Sequence, residues 1–344
     1  MKTTSDFFTI KKIHVSFILA IMIFAIHISS LYNYNLLTSF GSKILYVNFL
    51  IMLIVNVAVP LFMILSAVLF YRNYKLEDTK QKYKARFRTL VVPYLFWNLF
   101  WTIFQYICSY TYISHFFIGR EKAIFSFGDL FKGIFLYKYT PFWFIFDLIL
   151  FVALCPIIYI LLKNKVIGAI VIVLASIICE KSVFLDRILF RRDCFVYYLI
   201  GAYVGIHFFY WFIKRKNKLF ALFSFCLCVG IIYFYSRGGN MLSYSFGNIV
   251  VITIYCFGFW FMFDLFQNKR YFSFEKESFL IYAMHINVSA VIAKLLYLVL
   301  PQQDFIAPIN YIFTIICTIS CISVFACIVD NFVPKLRLLI TGSR

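Results

Sequence analysis

The chain has 344 residues, of which 63% are hydrophobic, 22% aromatic and only 14% charged, with a mean hydropathy of +0.89. A soluble globular domain carries about 45–50% apolar and about 25% charged residues, so a water-soluble enzyme is excluded, and long continuous apolar runs exclude a membrane β-barrel, whose strands alternate. The 33 basic residues outnumber 14 acidic ones, giving a net charge of +19, but they fall between apolar runs instead of forming a basic face, so the partner they imply is the lipid bilayer and no nucleic acid.

A bilayer core takes about 20 helical residues at about 1.5 Å rise. Apolar runs of that order cover 13–32, 48–71, 91–113, 142–162, 166–180, 194–213, 218–236, 244–264, 278–300 and 308–330. They predict an all-α, polytopic integral membrane protein of about ten transmembrane helices. The fifth run is the shortest and forms a tight hairpin with the fourth across Lys163-Asn164-Lys165. No small-residue cleavage site follows the first run, so it reads as a span and not as a signal peptide. Residues 1–344 read as a single transmembrane domain with no separate soluble domain, and the sequence carries no mark of oligomeric state.

Positive charge is retained on the cytoplasmic side. Placing the N-terminus inside leaves 22 basic residues in cytoplasmic segments and 10 outside, with Lys294 inside the ninth run. Both termini are therefore expected in the cytoplasm. Seven of the 22 (Arg72, Lys75, Lys80, Lys82, Lys84, Arg86 and Arg88) fall in the connection 72–90, which reads as a short cytoplasmic loop. The outer connection 114–141 holds His115, Arg120, Glu121, Asp129 and Tyr137-Lys138-Tyr139. It reads either as a lip for an acceptor or as an amphipathic loop on the membrane surface.

Nearly all ten cysteines fall inside apolar runs as small packing residues. Cys317 and Cys321 are four apart, but no histidine or third cysteine stands near them, and no metal site is predicted. An ionised side chain within a span costs about 2.5–3.5 kcal/mol on insertion scales, which makes polar residues there functional candidates. These are His27, Asn56, Asp147, His207, His285, Lys294 and Asp330. His27 lies about 22 Å along its helix from Lys12 and must face the protein interior. His285 lies nearer the cytoplasmic third of the ninth run, so the two histidines need not meet if their helices are straight.

Several segments together resemble the membrane acyltransferase 3 family, multi-span proteins that move an acyl group onto sugars of cell-surface glycans. NVAVPLFMILSAVLF (56–70) is similar to the family's second-span pattern, and KARFRTLVVPYLFW (84–97) to its basic segment running into Pro-Tyr and Trp. PFWFIFDLILFVALCP (141–156) and SFLIYAMH (278–285) resemble its Trp-Phe segment and its Ile-Tyr-x-x-His motif. The family's first-span signature is an Arg eleven residues before a His. The His matches His27, whereas Ser16 holds the Arg position, so that either Lys11 or Lys12 substitutes or activity is lowered. The family's Arg-x-x-Arg is replaced by alternating Lys82, Lys84, Arg86 and Arg88, and its Glu before a Pro is approximated by Asp330 with Pro334.

The resemblance implies an integral membrane O-acyltransferase of the cell membrane. It would take acetyl, or another acyl group such as succinyl, from cytoplasmic acetyl-CoA or another acyl-CoA to a glycan or lipid-linked sugar. The acyl-CoA is a donor substrate, and no bound cofactor is expected. Neutral imidazole suits proton transfer to and from a hydroxyl, which makes His27 the first catalytic candidate, with Asp147 as the carboxylate to fix its tautomer; His285 and Asp330 are second candidates. Arg86, Arg88 and Lys84 either dock the donor's phosphates or serve only to orient the protein and attract anionic lipid. Phe142, Trp143 and Phe144 form either a wall for the sugar or thioester or an interface anchor. The alternative reading is a non-catalytic glycan exporter or a family member that has lost its chemistry.

Overall fold

The computed structural model describes residues 4–35, 42–111, 128, 131, 140–181, 190–238, 244–266, 270–299 and 307–342. Among these, 89% are helical and none forms a strand, as a chain whose backbone must satisfy itself within lipid requires. The helices are α1 (Thr4–Asn35), α2 (Ser42–Val55), α3 (Ala58–Tyr71), α4 (Thr79–Arg86), α5 (Val92–Ser109), α6 (Trp143–Ala153), α7 (Cys155–Leu162), α8 (Lys165–Lys181), α9 (Arg192–His207), α10 (Phe209–Ile213), α11 (Lys218–Ser236), α12 (Phe246–Met262), α13 (Ser278–Val299), α14 (Ala307–Phe332) and α15 (Pro334–Thr341).

Among the described residues, seven helical segments are long and apolar enough to cross a membrane, and α6 with α7, bent by 64° at their junction, make an eighth if they are one span. The chain is a multi-pass helical membrane protein. The other two predicted runs are the helices α8 and α9, of 17 and 16 residues. The break between α6 and α7 follows from Pro156, which lacks an N–H and sits in the first turn of α7. Two carbonyls at that break gain phenol donors: Tyr83 Oη donates to Ala153 O at 2.7 Å and Tyr71 Oη to Cys155 O at 3.2 Å.

The basic run expected in a loop instead rides a helix. Leu76–Ser109 is one continuous helical segment, in which α4 passes through a π-turn at Phe87–Val91 into α5. Residues four apart share a helix face. The alternating spacing therefore divides: Lys80 and Lys84 are exposed, whereas Lys82 and Arg86 are half-buried, and Lys82 Nζ donates to Phe70 O at 3.3 Å. The apolar stretch alone did not reveal the helix's polar beginning.

The chain forms two compact units, each assembled from three stretches. The first comprises Met1–Met22, Asn48–Tyr83 and Leu150–Glu275. Its tightest packing sets α9 against α3, where Gly201 and Gly205 lie four apart. A Cβ at Gly201 would stand 2.4 Å from Ile64 O, and one at Gly205 2.8 Å from Val68 O. Small residues here let two backbones touch, the common device of helix association in lipid.

The second unit comprises Ile23–Val47, Lys84–Ile149 and Lys276–Arg344. Two indoles pin α5 within it: Trp97 Nε1 donates to Ile340 O at 2.8 Å, and Trp101 Nε1 to Ala283 O at 2.9 Å. Arg337 of α15 holds Glu277 with two hydrogen bonds of 2.6 and 2.7 Å and reaches Asp330 at 3.4 Å. Gly342 closes α15 with φ +67°, and a Cβ there would stand 2.6 Å from Thr89 Cα, so this turn admits only glycine.

Candidate functional site

Within the second unit, α13 carries His285 fully out of solvent. Its Nδ1 lies 2.8 Å from Tyr282 O and 3.1 Å from Ile281 O. Carbonyl oxygens only accept, so Nδ1 holds the proton, and in the neutral ring Nε2 is left as a bare lone pair. That Nε2 is buried with no hydrogen-bond partner. A buried acceptor without a donor costs about 1–3 kcal/mol, which is a poor bargain for a purely structural residue.

The half-buried ring of His27, on α1, stands 5.1 Å from the His285 ring between centroids. The two histidines thus meet, contrary to the reading from straight helices. The physical reason is span length: the apolar helical segment holding His285 begins at Ser273 and ends at Leu296, which puts His285 near its middle. Phe24, one turn before His27 on α1, packs 5.6 Å from His285.

Aromatic contacts continue from this pair. Tyr282 lies 6.3 Å from His285, 5.8 Å from Phe142 and 6.1 Å from Phe144. Its hydroxyl donates to Pro141 O, tying α13 to the entry of α6. Trp143 packs on Phe144 at 6.2 Å. Phe142 and Phe144 thus reach the histidine pair through Tyr282. Asp147, only 3% exposed, sits one turn beyond Trp143 on the same face of α6.

The other sequence candidates stand elsewhere in the unit. Asp330 is half exposed and belongs to the Arg337–Glu277 network. Arg88 lies in the π-turn, 13 residues and so about 20 Å of helix before Trp101, whose indole marks the level of Ala283. The acceptor lip expected at 114–141 falls almost entirely outside the described residues. Among the described residues no cluster of three or more His, Cys, Asp or Glu side chains is placed to hold a metal ion.

The model of the acyltransferase domain matches residues 16–327, nearly the whole chain. The chain belongs to the acyltransferase 3 family. No curated protein and no solved structure matches it. The match takes in the histidine pair, the aromatic wall and the basic helix of this membrane acyltransferase, while Lys11 and His14 precede it.

Sequence reasoning assigned those two residues no site of their own. Lys11 is buried in the first unit, where Nζ donates to Asp264 Oδ1 at 2.6 Å and stands 4.2 Å from the centre of the Trp260 ring. Asp264 also accepts the Lys216 backbone N–H at 3.0 Å. Lys11 is thus committed to Asp264. His14 pairs through Nδ1 with Glu275. The usable signal was that the apolar face of α1 extends back through His14 and Lys11 to Phe7 at helical spacing, past the residue where the apolar run seemed to begin.

Proposed function

We propose that this protein is an integral membrane O-acyltransferase that carries an acetyl group from cytoplasmic acetyl-CoA to a cell-surface or exported glycan. The reading rests on the His27–His285 pair, in which a buried imidazole presents an unpartnered Nε2 beside a second imidazole. His27 takes the proton of the acceptor hydroxyl as its oxygen attacks the thioester carbonyl, and His285, its tautomer set by Ile281 and Tyr282, receives or returns that proton. The C–S bond breaks, and the CoA sulfur leaves and is protonated as the free thiol. Asp147 supplies negative charge at the aromatic wall, and Phe142, Trp143, Phe144 and Tyr282 exclude water from the thioester.

Lys84, Arg86 and Arg88 bind the donor's phosphates. About 20 Å of α5 separates them from the histidine level, a gap suited to a donor that carries its acyl group on a long arm. Asp330 keeps α14 against α15 through Arg337 and takes no part in transfer. The ten apolar runs support ten spans in the plasma membrane, and the 22 to 10 division of basic residues supports both termini in the cytoplasm.

Ser16 favours a second reading, a non-catalytic exporter or a member without activity, since Lys11 is held by Asp264 and does not replace the missing Arg. Glycan analysis of cells with and without the protein separates the two. Loss of ester-linked acyl groups supports transfer, whereas loss of surface glycan with unchanged esterification supports export and overturns it.

A further inference from the structure

A cavity of about 430 Å³ runs along one face of α1 in the first unit. Its α1 lining repeats at helical spacing from Phe7 through Lys11, His14 and Ile18 to Met22, about 22 Å of helix, longer than the ~15 Å depth of one leaflet's hydrocarbon. The chemistry changes in layers along that length. At the Phe7 end stands a cation, the Arg215 guanidinium, 5.3 Å from the Phe7 ring. Of the acids near the lining, Asp264 is held by Lys11 and Glu275 by His14.

One to two turns deeper come Lys11 and His14. Lys11 keeps N–H donors beyond the one given to Asp264, and His14 Nε2 has no hydrogen-bond partner. Beyond them the lining is apolar, with Ile18 and Met22 of α1 facing Ile54, Phe259 and Phe263.

We propose that this cavity holds one anionic glycerophospholipid of the cytoplasmic leaflet. The Arg215 cation, then the spare Lys11 donors, then hydrocarbon reproduce in order the phosphate, the ester carbonyls and an acyl chain. The cavity shares no lining residue with the histidine pair, and Phe7, Ile10, Lys11 and His14 precede the family match.

The test uses the full chain in phosphatidylcholine nanodiscs titrated with phosphatidylglycerol, with retained lipid counted by native mass spectrometry. The expected result is one phosphatidylglycerol held per chain. Met22→Trp and Ile18→Trp, which fill the hydrocarbon end, should reduce retention at least about tenfold with helical content and unfolding midpoint unchanged. Arg215→Glu should weaken it by at least about fivefold, the worth of one basic residue at a membrane surface. Arg215 is exposed and decides the matter if the Trp variants fail to fold. Equal retention of phosphatidylcholine, displacement by inorganic phosphate or palmitate at equal concentration, or undiminished retention in the variants would overturn the proposal.

Discussion

Replacing His285 by Phe separates function from stability in a way few buried substitutions do. His285 is fully enclosed, and its Nε2 is an acceptor without a donor. Removing that atom relieves about 1–3 kcal/mol of uncompensated desolvation, while losing the Nδ1–H contacts to Ile281 and Tyr282 forfeits about 0.5–1.5 kcal/mol. Phe fits among Phe24, Tyr282 and His27, aromatic neighbours whose rings stand 5.1 to 6.3 Å away. The net expectation is a variant between about 0.5 kcal/mol less stable and about 2.5 kcal/mol more stable than the parent. Acylation should nevertheless fall by about 10²–10⁴-fold, the usual share of a positioned proton-transfer group. If the two imidazoles act as a unit, adding His27→Gln should cost little more than the worse single change. The assays are denaturant unfolding in nanodiscs and release of ester-linked acetate from the glycan. A His285→Phe protein that unfolds more easily yet acylates normally would refute the reasoning, because the orphaned nitrogen would then be a packing defect.

His27→Gln should accumulate normally and abolish glycan acylation. His207→Gln should leave it intact, because His207 Nε2 bonds Leu162 O at 2.8 Å and an amide can keep that contact. Reversing Arg86 and Arg88 to Glu should raise the apparent KM for acyl-CoA while insertion survives on the remaining basic residues, and an unchanged KM would reduce the cluster to a topological anchor. Gly201→Ala should lower the unfolding free energy by about 1–3 kcal/mol, since the new methyl meets the Ile64 backbone and one of two packed helices must shift. Reporter fusions at the C-terminus should be active only in a cytoplasmic assay, and activity on the outer face would remove the expectation of ten spans.

The helices were legible because lipid imposes one rule on every residue of a span, and the described parts of all ten apolar runs are predominantly helical. Polar residues at the ends of spans were not, because hydropathy marks where apolar sequence stops, whereas a helix continues while its backbone bonds are met. Lys11, His14, Asp264 and Glu275 were hidden for this reason, and so was the helical state of the basic run. The Lys11–Asp264 pair joins residues 253 apart in the chain, and nothing local announces such a partner. His27 and Asp147 stood out individually as polar residues in apolar runs. The meeting of His27 with His285 depended on where each helix begins, a matter of five residues at Ser273.

The π-turn at Phe87–Val91 has a consequence for how relatives of this chain diverge. A π-turn is one residue more than an α-helix needs, and removing that residue rotates α4 by about 100° relative to α5. The azimuth of α5 is fixed by the Trp97 and Trp101 indoles, so a one-residue deletion would leave the aromatic wall untouched while swinging Lys84 and Arg86 about a quarter turn around the helix axis. Single-residue length changes in this turn are therefore a mutational dial for re-aiming the cations, and aligning relatives without a gap there would equate side chains that face different surroundings.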